Sequence, residues 1–171
     1  IYLYDGAQGN IIRHTVIHDV DAQGIRIGDT FGGEENTLFG NVIWDVDNQA
    51  IETRGPSIIQ NNLIFSVDGY GIHTSDQEGV ISDVVISFNT ILDTTEYAIA
   101  VYEWWSQEGM VLANNALCNP TGLGLYYGDH ETDTGLEPTD NLITNNVVCG
   151  YVDASGLPPE AVLLGGGFYD Y

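Results

Sequence analysis

A nine-residue interval recurs along the chain and leaves few folds open to it. Thr15 is followed nine residues later by Gly24, Asn41 by Ala50, Asn62 by Gly71, Asn89 by Ala98 and Asn115 by Gly124. Each small residue precedes an apolar one: Ile25, Ile51, Ile72, Ile99 and Leu125. Asn146 opens a sixth copy, in which an insertion delays the small-apolar pair to Ala161-Val162. Ile1 fits the same position of an earlier, truncated copy. Spacings along this apolar row are 24, 26, 21, 27, 26 and 37 residues. A period in the twenties, made of short β runs and a repeated Asn corner, predicts a solenoid.

Aligned copies expose further rows. Ile12, Leu38, Ile59, Ile86, Leu112 and Ile143 precede the corner by three residues, and Ile17, Ile43, Ile64, Ile91, Leu117 and Val148 follow it by two. A third row reads Leu3, Ile27, Thr53, Thr74, Val101, Tyr127 and Leu164. Alternation at period two makes each run a strand with one apolar side. Strands of three or four residues cannot bury a face alone, but stacked coils bring identical rows together about 4.8 Å apart. At the corner, Asn is expected to take the left-handed bend itself and to hydrogen-bond up the stack.

The pattern Asn61-Asn62-Leu63-Ile64 followed by Gly71-Ile72-His73-Thr74 resembles the right-handed parallel β-helix family, the pectate-lyase-like solenoids. The expected fold is all-β: about six coils of 21–37 residues forming one domain over 1–171, read as a segment of a longer solenoid. The cysteines test that register. Cys118 and Cys149 each lie three residues after a corner Asn, so they share a row in adjacent coils, within reach of a disulfide. The alternative is two buried thiols in an apolar row with Trp44, Phe65 and Leu92.

Charge narrows the partners. The chain carries 25 acidic residues against three arginines (Arg13, Arg26, Arg54) and no lysine, a net charge of −22. Nucleic acids and anionic membranes are poor partners for such a surface. No apolar run is long enough for a membrane span. A disulfide-compatible pair in a lysine-free, Gly- and Asp-rich chain favours an extracellular or cell-surface setting.

Residues alternating with the Gly-Ile row are expected to face solvent. One outward row reads Tyr2, Arg26, Glu52, His73, Ala100, Tyr126 and Leu163, and the next includes Tyr4, Arg54, Ser75 and Tyr102. Tyr2, Tyr102, Trp104, Trp105 and Tyr126 offer flat faces for pyranose rings, and arginine can hold a carboxylate bidentately. Arg26, Glu52 and His73 fall in three consecutive coils. Either they form a catalytic cluster in which Glu52 raises the His73 pKa and Arg26 anchors an acidic sugar, or they are an exposed ladder of charges worth little. Asp29 and Asp76 share a row with Gly55 between them, on the order of 9.5 Å apart, near the upper limit for an inverting acid–base pair. Asp19, Asp45, Asp21 and Asp47 cluster at another corner, where oxygen-only ligands favour Ca²⁺.

The family resemblance implies an extracellular polysaccharide ligand and chemistry of the lyase, epimerase or glycoside hydrolase kind, often with calcium. In elimination or epimerisation, His73 or Arg54 takes the proton. In hydrolysis, Asp29 and Asp76 act as acid and base. The competing expectation is a non-enzymatic shaft of an adhesin or fibre, stacking end to end with neighbouring solenoid segments.

Overall fold

The computed structural model describes residues 1–4, 6–28, 33–75, 81–102, 109–128, 141–153 and 162–164, with the side chains of 120–123, 127–128, 150–153 and 162–164 left aside. It is all strand, with no helix among those residues, so no helix there is long and apolar enough to cross a membrane.

All strand pairing is parallel, between successive coils, and builds three faces. The first face stacks β1 (Tyr2–Leu3), β4 (Ile25–Ile27), β7 (Ile51–Thr53), β10 (Ile72–Thr74), β13 (Tyr97–Tyr102) and the second half of β15 (Ala116–Gly128). The second stacks β3 (Val16–Val20), β6 (Val42–Val46), β9 (Leu63–Val67), β12 (Thr90–Thr94), the first half of β15, then β17 (Asn146–Asp153) and β18 (Val162–Leu164). The third stacks β2 (Ile11–Arg13), β5 (Asn36–Phe39), β8 (Ser57–Gln60), β11 (Val84–Ser87), β14 (Val111–Ala113) and β16 (Leu142–Thr144).

The core is the set of predicted rows. Ile25, Ile51, Ile72, Ile99 and Leu125 pair in register and are fully buried. Leu38, Ile59, Ile86 and Leu112 do the same on the third face, and Ile43, Ile64 and Ile91 on the second. Small residues precede the first row because the next coil's backbone comes close. A Cβ on Gly24 would stand 2.7 Å from the Ala50 carbonyl oxygen.

The corner works differently from the sequence expectation. The bend is taken by the residue before each corner position, Thr15 in the first coil and Asn in the others: His14, Asn61, Phe88, Asn114 and Asn145 have φ of 51–58°, and Gly40 has 63°. That frees each Asn side chain to turn inward. Asn62 Oδ1 accepts from the Asn41 backbone N–H at 2.9 Å and from Asn41 Nδ2 at 3.0 Å. Asn62 Nδ2 donates to the Leu38 carbonyl at 3.1 Å and to Asn89 Oδ1 at 2.9 Å. The pattern repeats through Asn115 to Asn146, and it satisfies buried backbone groups at every coil. A second left-handed position falls at Asp19, Asp45, Ser66 and Asp93, where a short polar side chain tolerates it.

Cys118 and Cys149 pair in register and form a disulfide, with Cα atoms 4.6 Å apart. Their row faces outward and is half-buried rather than part of the core. Rings in that row stack along the axis: His18 on Trp44 at 4.5 Å between centroids, and Trp44 on Phe65 at 5.6 Å.

The last coil corrects the sequence register. Leu125 pairs with Val152 and Tyr126 with Asp153, restoring a spacing of 27 residues along the apolar row. Val162, Leu163 and Leu164 stack instead on Asn146, Val147 and Val148, on the second face. Leu163 and Leu164 therefore leave the rows proposed for them.

Candidate functional site

The outward side of the first face collects the chemistry. Arg26, Glu52 and His73 occupy one row on β4, β7 and β10, paired in register. Although they alternate with core residues, they are not an exposed ladder. Glu52 is 3% exposed, and its carboxylate holds two guanidiniums. Arg54 Nε donates to Glu52 Oε1 at 3.0 Å, and its Nη2 lies 2.8 Å from the same oxygen. Arg26 Nε stands 3.2 Å from Oε2, an ion pair whose N–H is not aimed for a hydrogen bond. The Arg26 guanidinium also sits 5.2 Å from the centre of the Tyr2 ring, a cation–π distance. Two guanidiniums against one carboxylate leave local positive charge in a chain of net charge −22.

His73 completes the cluster. Burial drives its pKa down to about 4, outweighing the upward pull of the Glu52 carboxylate, while Arg54 pushes it further down. Glu52 pulls upward as expected, but the net shift is downward, because desolvation of the imidazolium costs more than one carboxylate returns. At neutral pH the ring is an uncharged acceptor.

Aromatic rings pack around it. His73 lies 5.0 Å from Tyr70, nearly parallel, and 5.2 Å edge-on from Tyr102. Tyr97 lies 6.4 Å from Tyr70 and 5.2 Å from Tyr126, and Tyr102 lies 4.7 Å from Tyr126. Burial, reinforced by a hydrogen bond with Tyr70, pushes the Tyr102 phenol above the ordinary tyrosine range, so it stays protonated. Tyr70 and Tyr97 were not singled out by sequence. Their signal was the residue just before the small-apolar pair, a row reading Gln23, Gln49, Tyr70, Tyr97 and Leu123.

Five buried side-chain polar atoms lack a hydrogen-bond partner among the described residues: Arg26 Nε, Gln49 Oε1, Glu52 Oε2, His73 Nδ1 and Ser75 Oγ. All belong to this face or to the residues leading into it. Among the described residues elsewhere, the asparagine ladders leave nothing comparable unsatisfied, and unpartnered buried groups of this kind cost stability.

Of the other predicted residues, Asp29, Asp76, Trp104 and Trp105 lie outside the described residues. Asp19, Asp21, Asp45 and Asp47, with Ser66 and Asp68, line an open depression of about 350 Å³ beside the second face. Their side chains spread along the stack. Among the described residues no three His, Cys, Asp or Glu converge to hold a metal ion. Asp68 Oδ1 instead accepts from the Thr95 hydroxyl at 3.0 Å, bridging coils.

Comparison with known proteins agrees with the coil geometry: the family described as right handed beta helix region matches residues 1–148. The chain belongs to the right-handed β-helix family. No curated protein and no solved structure gave a significant match. The family match fixes the hand of the coil, and it covers every strand that contributes to the Glu52 cluster.

Proposed function

We propose that this right-handed β-helix binds and processes an extracellular polysaccharide on the outward side of its first face. One observation carries the reading. The buried polar atoms without partners gather on this face, beside a bank of tyrosines and a surplus of guanidinium charge. A sugar fits this surface physically, because its hydroxyls both donate and accept and its ring carbons pack on aromatic side chains. The fold supports the same reading, since solenoids of this family are often carbohydrate-active. The disulfide supports an oxidising, extracellular setting.

Each group then has a role. Neutral His73 accepts a proton from a ring carbon or hydroxyl. Arg26, partly exposed and held between Tyr2 and Glu52, meets a carboxylate or hydroxyl of the ligand. Arg54 commits Nε and Nη2 to Glu52 and so positions that carboxylate rather than taking a proton. Removing a proton beside a uronate carboxylate, the first step of elimination or epimerisation, needs a neutral base and a cation at the carboxylate. His73 and Arg26 supply both.

The test is a panel of neutral and uronate polysaccharides, with binding read by calorimetry and turnover by the absorbance of unsaturated products and by reducing ends. Wild type is expected to act on at least one glycan, with an acidic limb in kcat/KM near the His73 pKa of about 4. His73→Ala should abolish turnover while keeping binding, and Arg26→Ala should weaken binding. Equal activity in wild type and His73→Ala, or no glycan bound by wild type, overturns the reading.

A further inference from the structure

The second and third faces carry a surface the glycan reading does not use. We propose that it docks a cationic amphipathic segment of a protein partner, apolar along one side and lysine- or arginine-rich along its edge. Among the described residues, seven of the ten exposed large hydrophobics lie here: Ile11, Val16, Leu63, Phe88, Leu92, Leu142 and Val147. Phe88 stands at the corner between the faces, and the other six occupy outward rows on their strands; those rows contain no Asp or Glu in a chain with 25. Six stacked strands make the strip about 24 Å long. Each face carries such an apolar row, the two separated at the corner by exposed polar residues such as Arg13, His14, Asn61 and Asn114, and exposed apolar surface of that extent marks an interaction site.

Phe88 identifies the centre. It sits at the corner between the faces with φ of 58°, and is 55% exposed. A bulky aromatic in the left-handed region is strained, and burial does not compensate it. The same corner in other coils holds Asn61, Asn114 and Asn145, residues suited to that conformation. An exposed, strained aromatic where Asn would serve better has the character of a binding anchor.

Charge selects the occupant. Along one edge of the strip run Asp19, Asp45 and Asp93, all exposed and adjacent to the row of His18, Trp44 and Leu92. A second copy of this chain would bring an identical carboxylate row and a net charge of −22 against its own. Anionic lipid is repelled for the same reason. Trp44, the largest ring here, offers a sugar no open face, because it is stacked on both sides by His18 and Phe65. A basic-edged helix satisfies both the apolar strip and the carboxylate rim.

The experiment uses a fluorescent peptide of about 18 residues built from leucine and lysine as an amphipathic helix, which spans about 27 Å. A scrambled peptide of equal composition is the control, and titrations are followed by anisotropy at about 0.15 M salt. The helix is expected to bind at least about tenfold tighter than the scramble. Phe88→Asn should weaken it about tenfold while raising the urea midpoint, because the strain is relieved. Folding loss therefore cannot mimic the result. Asp45→Asn with Asp93→Asn should weaken binding and flatten its salt dependence. Equal binding of both peptides, or no effect of Phe88→Asn, overturns the proposal. So does concentration-dependent dimerisation, or binding to zwitterionic vesicles, that Phe88→Asn abolishes, since the surface would then serve a second copy or a lipid.

Discussion

Truncating one rung of the asparagine ladder should cost this protein a large share of its stability. Asn89 is the rung to cut, since it lies mid-stack and is 1% exposed. Its Oδ1 accepts from the Asn62 backbone N–H at 3.0 Å and from Asn62 Nδ2 at 2.9 Å. Its Nδ2 donates to the Ile59 carbonyl at 2.8 Å and to Asn115 Oδ1 at 3.1 Å. In Asn89→Ala the Asn62 N–H, one hydrogen of its amide and the Ile59 carbonyl are left buried and unpaired. Each such orphan costs about 1–3 kcal/mol. With partial relaxation the total is about 3–6 kcal/mol, against whole-domain stabilities of about 5–15 kcal/mol. Asn89→Asp should do no better, because it keeps the acceptor but turns a carboxylate toward two oxygens that need a donor. Asn10→Ala is the control. Asn10 Nδ2 donates to Asn36 Oδ1 at 3.0 Å and, on its exposed side, to the Gln8 carbonyl at 3.2 Å, where water can replace it; the expected loss is about 1 kcal/mol. Urea unfolding followed by both far-UV circular dichroism and tryptophan fluorescence gives the numbers, provided the two transitions coincide. A loss under about 1 kcal/mol for Asn89→Ala, or one equal to that of Asn10→Ala, would falsify the view that the ladder satisfies the corner.

Three further outcomes follow from the geometry. Replacing Cys118 and Cys149 with Ala opens a loop of sequence separation 31, and chain entropy puts the loss at about 4 kcal/mol, read as a lower urea midpoint in the variant and in reduced wild type; an unchanged midpoint contradicts it. In the unfolded chain His73 binds a proton near its ordinary value of 6.5, whereas in the folded chain it does so only near 4. Between those pH values the unfolded state holds more protons, so stability falls as pH drops, by about 3 kcal/mol in all, and is flat above; a His73→Gln variant should lack that component, and parallel curves for the two proteins would refute it. Glu52→Gln strips the counter-charge from two guanidiniums and should cost about 3–5 kcal/mol, whereas replacing Arg26, Glu52 and Arg54 together by apolar residues of similar size should cost less while still abolishing glycan binding. If the triple variant is the less stable of the two, the cluster stabilises the fold instead of burdening it.

The fold was legible because a solenoid repeats its instructions. The Asn62–Gly71 and Asn89–Ala98 intervals each place one core residue, and stacking five such intervals fixes the register of all three faces. The signal failed at the last coil. There β15 and β17 run through the turn as continuous strands, and register shifts between Cys118, Leu123 and Leu125 shorten the path to Val152. No small residue precedes Val152, since Tyr151 stands there, and Ala161-Val162 drew the alignment onto the wrong face. The corner bend was assigned one residue late for a related reason. Asn suits both a left-handed bend and a buried ladder, and composition alone does not say which one it serves at Asn62.

The site was half legible, and its hidden half is electrostatic. Period-two alternation identifies Glu52 as outward, and outward usually means solvated. Nothing in a linear pattern shows that Arg54 and Arg26 close on the carboxylate and that Tyr70 and Tyr102 pack around His73. Yet that closure decides the chemistry. An exposed His73 beside Glu52 would titrate upward and be cationic in mildly acidic surroundings, a poor base. Buried, it is neutral down to about 4, so it is free to accept a proton at any higher pH, though as a weaker base than a solvated imidazole. The same closure gathers two of the chain's three arginines at one point of an otherwise strongly acidic body. A polyanionic glycan would then be repelled at a distance and held on contact. Screening over about 8–10 Å weakens the first effect more than the second, because the second acts at contact, beside a buried carboxylate. Association with a uronate polymer should therefore quicken as salt rises toward physiological strength, opposite to the usual steering of a substrate into an oppositely charged cleft. A neutral glycan should show no such dependence. The sign of that salt effect therefore separates a uronate ligand from a neutral one on the proposed reading, whether or not any bond is cut.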